Sequence, residues 1–107
     1  MTFIEELLSK VPGETVVGIV IGAFGWEAYN EELELAGSPK GKVMSLDEAK
    51  HFLSYEYESS YGAPKCHAVT MWTSDSIVFV VQYDGSTGVC SIPRNPTDHI
   101  PIMPGGG

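Results

Sequence analysis

Arginine occurs once in this sequence, at Arg94, and all basic side chains together number six against fourteen acids. The formal net charge is −8 at pH 7. Binding to phosphates depends on Lys and Arg, so no direct nucleic-acid partner is expected. Cysteine is scarce too: Cys66 and Cys90 are the only two. Two do not make a disulfide framework. Both fall in runs that read as strands, where buried thiols are the expectation, and a bridge would need those strands to be neighbours. Long apolar runs are missing as well. The longest, residues 16–24, has nine residues and includes two glycines, against about 20 for a membrane-spanning helix. The opening Met-Thr-Phe-Ile-Glu-Glu has no basic stretch. No signal peptide is read there, and the expected location is cytoplasmic.

What is present fits one globular domain. The 107 residues are 43% apolar, enough for a single core and too few for two domains. A chain of this size buries only about two-thirds of its unfolded surface, so a homo-oligomer would add to its stability. The charge is lopsided. Residues 1–58 carry eleven acids against four lysines, and residues 59–107 carry three acids against Lys65 and Arg94.

Local signals give the element order. Thr2-Phe-Ile-Glu5 is a capping box that starts a short helix running to about Lys10, with Phe3, Ile4, Leu7, Leu8 and Val11 on one face. Pro12-Gly13 ends it. Residues 15–22 are Val/Ile-rich on both faces, which predicts a strand covered on both sides. Gly18, Gly22 and Gly25 break it up and predict a bulge or turn. Residues 26–37 read either as a helix or, over 32–35, as an edge strand. Ser45-Leu-Asp-Glu48 is a second capping box, and its helix runs from about Leu46 to Ser54. Strands are predicted at 66–73, 77–83 and 87–92, with turns at 73–76 and Asp84-Gly85, a β-meander. The middle one is apolar on both faces and reads as central. The predicted fold is α+β, a four- or five-stranded antiparallel sheet with two short helices on one side. Residues 1–92 form the domain. Residues 93–107 hold Pro93, Pro96, Pro101 and Pro104 and read as an extended tail of the same domain.

Few motifs carry chemistry. Gly37-Ser-Pro-Lys-Gly-Lys-Val43 has three residues between its glycines, where a P-loop needs four, and Val43 stands where Ser or Thr belongs. Cys66, His67, Cys90 and His99 form no pair with metal-ligand spacing, so neither a metal site nor a cofactor is expected. No nucleophile, base and orienting group can be assembled from His51, His67, His99 and the two thiols, which points away from an enzyme. The paired carboxylates read as solvated faces or helix caps.

One group stands out as a binding candidate. Arg94 and Asn95 are held between Pro93 and Pro96, and guanidinium suits bidentate contacts to carboxylate or phosphate. Trp72 and Tyr83 end successive strands, Asp84 and Thr87 decorate the following turn, and Trp26 offers stacking surface. Two functions follow as expectations. The first is a non-enzymatic binding or inhibitor protein that docks its acidic surface on a basic protein. A phage or mobile-element protein that disables a host defence is its concrete form. The second is an oligomeric small-molecule binder that sequesters an anionic, nucleotide-like ligand through Arg94, Asn95, Trp72 and Tyr83.

Overall fold

The computed structural model describes residues 1–25, 40–57, 65–83, 86–101 and 103, with Tyr83 described through its backbone alone. Two helices, α1 (Phe3–Ser9) and α2 (Leu46–Leu53), accompany four strands: β1 (Val16–Phe24), β2 (His67–Thr73), β3 (Ser76–Tyr83) and β4 (Ser86–Pro93). The strands form one antiparallel sheet in the order β1-β2-β3-β4. The candidate edge strand at 32–35, which would be a fifth, lies outside the described residues.

Both helices begin where their capping boxes place them. Thr2 Oγ1 accepts the Glu5 amide while Glu5 accepts the Thr2 amide at 2.7 Å. Ser45 and Glu48 repeat the exchange at 3.2 Å in each direction. Each box satisfies two backbone donors that the first helical turn would otherwise leave open. The accepted bonds hold the Glu5 and Glu48 carboxyls below the usual carboxylate range, the backbone bond being the larger cause in both.

The strand period of two divides the sheet into two faces. Ile19, Met71 and Val78 lie in one cross-strand row, and on the same face Ile21 pairs with Val69 and Val80 with Val89. All but Val80 are buried, and they share a single core with Phe3, Leu7, Ala49 and Leu53 of the helices. The opposite rows hold Trp72, Ile77 and Ile92, then Thr70, Phe79 and Cys90. None of these belongs to the core.

The register also locates the turns. Residues 40–44 run along the outer edge of β1, with the Ile19 and Met44 amides each donating to the other's carbonyl at 2.9 and 2.8 Å. Register shifts after Val16 and after Ile21 are the bulges that the glycines announced, and Gly25 follows with φ +58°. Only glycine enters that left-handed region without steric cost. The N-terminal residues close the fold from the other side. The Phe3 amide donates to the Tyr55 carbonyl at 2.8 Å, and the Tyr57 amide to the Met1 carbonyl at 3.1 Å.

The expected cover on both sides of β1 is uneven among the described residues. β1 is apolar on both faces, and on the outer one Gly18 is buried, with Val43 beside it. Val20 and Gly22 are half-buried, and Val17, beside the first bulge, is 61% exposed. The apolar outer residues of β1 continue an apolar sheet face that, among the described residues, neither helix covers. β3 is interior to the sheet, as its composition predicted.

Candidate interaction surfaces and the buried polar cluster

The predicted binding residues fall into two groups at opposite ends of the sheet. Trp72 stands opposite Ile77 near the β2–β3 turn, and Arg94 and Asn95 follow β4 at that same end. Tyr83 lies six residues further along β3, paired with Ser86, and Thr87 sits beside it in β4. At about 3.3 Å per residue the two groups are some 20 Å apart. A single chain therefore does not gather Arg94, Asn95, Trp72 and Tyr83 around one ligand. Asp84 and Trp26 lie outside the described residues.

Arg94 has a structural partner. Its guanidinium donates to the Thr73 carbonyl at 2.8 Å, and its amide donates to the Asp75 carbonyl at 3.0 Å. These bonds tie the end of β4 to the β2–β3 turn. Thr73 is the centre of that turn. Its hydroxyl donates to Glu14 at 2.5 Å and accepts the Ser76 amide at 2.9 Å. A buried hydroxyl without such partners would destabilise the fold, so the turn and the Glu14 loop hold each other.

A buried polar cluster occupies the other end of the sheet. His67 is fully buried, and the Tyr55 hydroxyl accepts its amide at 2.8 Å. The same hydroxyl lies 2.9 Å from His67 Nδ1. The phenol oxygen is thus shared between the backbone and the ring of His67. Phe24 meets the imidazole edge-on at 5.0 Å, and Tyr55 stacks on Phe3 at 5.6 Å. Tyr57, also in the core, donates to the Thr87 carbonyl at 3.2 Å.

Burial pushes the Tyr55 phenol above its ordinary value and the Tyr57 phenol up to about 12. Burial likewise pushes the Cys66 thiol up to about 12, the opposite of what a nucleophilic thiolate needs. Both cysteines are free, Cys66 buried just before β2 and Cys90 half-buried in β4. β3 lies between β2 and β4, so the neighbouring strands that a bridge would need are absent.

Beside the cluster the sheet opens. The β2–β3 ladder holds three residue pairs, from Trp72↔Ile77 to Thr70↔Phe79, whereas β3–β4 holds eight. Where β2 and β3 part, a cleft of about 190 Å³ lies among Cys66, His67, Val80, Gln82 and Thr87. Small-molecule sites usually run from roughly 300 to 1,000 Å³, so this cleft is small for a nucleotide. Among the described residues no group of three or more His, Cys, Asp or Glu stands close enough to share a metal ion.

Several of the described acids are on the surface. Glu5 of α1, Asp47 and Glu48 of α2, and Glu56 beside the N-terminus are all exposed. Among the described residues the ion pairs are surface ones, Lys10 with Glu6 at 3.7 Å and the Met1 ammonium with Glu56 at 3.3 Å. No helix among the described residues is long and apolar enough to cross a membrane. Comparison with protein families, with curated proteins and with solved structures found no match to this chain.

Sequence reasoning missed the Tyr55–His67 and Glu14–Thr73 contacts, which join residues 12 and 59 positions apart. The alternation of Tyr55 and Tyr57 with Glu56 and Glu58 was the available signal for the first. It places both tyrosines on one side of the segment, and the structure buries Tyr57 and half-buries Tyr55.

Proposed function

We propose that this protein is a non-enzymatic binding module that docks on a basic protein surface through its helical layer. The observation that carries this reading is the placement of Glu5, Asp47, Glu48 and Glu56 on the solvent side of the two helices and the adjoining segment, all exposed. Lys10 and Lys50 share that layer, and Lys10 is paired with Glu6. The layer is thus acidic on balance, within a chain of net charge −8. Its acids can stay solvated until a cationic partner arrives, and complementary charge then speeds encounter and fixes orientation. Covering the nucleic-acid groove of a host nuclease, as a phage or mobile-element protein would, is the concrete form of this role.

The small cleft and the separated Arg94 and Tyr83 groups favour this reading over a nucleotide binder. The raised Cys66 thiol and the committed His67 favour it over an enzyme. The test is binding of an oligolysine peptide to the full chain at two ionic strengths. The expected affinity loss is about tenfold or more between 0.01 M salt, where the screening length is about 30 Å, and 1 M salt, where it is about 3 Å. An affinity indifferent to salt would refute electrostatic docking.

A further inference from the structure

The outer face of the sheet is built from apolar residues that no layer covers among the described residues. Trp72, Ile77 and Ile92 form one cross-strand row, and Phe79 and Cys90 lie in the next, with Val81 beyond. All are half-buried except Ile92, which is 39% exposed, and none joins the core. The described residues on this face, from Gly18 and Val20 in β1 to Ile92 in β4, include no charged side chain. A face of this kind on a chain of net charge −8 is the exception to its surface.

We infer that this sheet face is the interface of a homodimer, covered by the same face of a second copy. Charge selects that occupant. A basic partner would find no carboxylate here and would have to strip water from its own cations without compensation. A second copy brings an equally uncharged face and keeps both acidic helical layers turned outward, where solvent screens them. The inference is independent of what those layers bind.

The area of the sheet face alone falls short of a stable dimer and calls for a second element. Four strands about 4.8 Å apart and seven residues long at about 3.3 Å each give a face on the order of 450 Å². A stable dimer buries about 600 to 1,000 Å² on each copy. The residues after β4 are placed to add to it. His99, Ile100 and Pro101 line one open pocket with Ser91, Ile92 and Pro93 of the edge strand. Ile100 is 90% exposed and Met103 is 96% exposed. Two such side chains standing clear of their own domain are placed to reach across to the partner copy and extend the contact beyond the sheet.

Sedimentation velocity of the full chain tests this, from about 1 µM to about 100 µM, the range over which interfaces of modest size assemble. The wild-type chain is expected to sediment as a dimer at the upper end. Phe79→Glu, which places a charge at the centre of the face, is expected to be a monomer throughout with an unchanged circular dichroism spectrum. Ile100→Asp combined with Met103→Asp leaves the core untouched and is expected to weaken the dimer about tenfold or more. Should Phe79→Glu fail to fold, alkylation of Cys90 in the wild-type chain reads the same face, since its rate falls as concentration rises if the face becomes covered. A wild-type monomer at every concentration, a Phe79→Glu chain that folds and still dimerises, or a Cys90 rate independent of concentration would overturn the assignment. An unchanged dimer in the Ile100/Met103 variant would remove the C-terminal segment from it.

Discussion

The Tyr55 hydroxyl serves two groups of His67 at once, accepting its amide at 2.8 Å and sharing a hydrogen bond with its Nδ1 at 2.9 Å. One oxygen thereby satisfies a backbone donor and holds the ring of a fully buried imidazole. Tyr55→Phe removes both bonds and leaves the ring in place. Leaving buried polar groups unpaired costs about 1–3 kcal/mol each, so a loss of about 2 kcal/mol or more is expected. For a domain of this size that lowers Tm by roughly 10 °C. Thermal denaturation followed by circular dichroism gives the answer, and a Tm near wild type would mean that the pair is dispensable.

Arg94 is expected to act as a clamp between the end of β4 and the β2–β3 turn. Arg94→Ala should lose about 1 kcal/mol, the net value of one hydrogen bond to a carbonyl, through the contact to Thr73. Binding of oligolysine should be unaffected. If instead stability is unchanged while a nucleotide-induced thermal shift in the wild type disappears, Arg94 belongs to an anion site.

The capping boxes give the fold an acid-side dependence. The Glu5 and Glu48 carboxyls are held below their ordinary range by bonds that exist only when the helices are formed. Their contribution is therefore fully present above the unfolded value of about 4.3 and disappears as pH falls through the lower folded value. Urea midpoints at pH 6 and pH 3 should differ less in Glu48→Gln, which has no titrating carboxyl at the cap, than in wild type. An equal acid-induced drop in both chains would sever the link between Glu48 and the cap.

On the alkaline side the sign reverses. Burial pushes the Cys66 thiol and the Tyr57 phenol up to about 12. Both are neutral in the folded chain over a range in which the unfolded chain has already lost their protons. Stability is then full below the unfolded values, about 8.5 for a thiol and about 10 for a phenol, and falls as pH rises from there toward 12. Urea midpoints between pH 8 and pH 11 should decline, and Cys66→Ala should flatten the early part of the decline. A flat wild-type profile over that range would contradict the burial of both groups.

Local chemistry made much of this fold legible. Capping boxes at Thr2 and Ser45 located both helix starts, because they satisfy their own backbone within four residues. Alternation and turn residues located the last three strands in the same way. The glycines at 22 and 25 announced the bulge at the end of β1. Contacts between distant segments were not legible. Pairing of β1 with β2 joins residues some fifty positions apart, and the Thr73–Glu14 and Tyr55–His67 bonds depend on that pairing. The same limit applied to the candidate site. Trp72 and Tyr83 each end a strand, but successive antiparallel strands end at opposite edges, and so the residues that appear adjacent across a turn lie far apart. The apolar outer residues of β1 and β3 read as buried because periodicity registers hydrophobicity and not what covers it.

The most direct test of acidic docking is a matched charge reversal. Asp47→Lys with Glu56→Lys alters the helical layer, and Asp75→Lys with Asp98→Lys alters exposed positions in the β2–β3 turn and beyond β4. Both pairs change the net charge equally. Affinity for oligolysine, measured at low salt where exposed charges act over about 30 Å, is predicted to fall much further in the first pair than in the second. Equal losses in the two pairs would show that only the overall charge of the chain matters, and would contradict a docking surface on the helices.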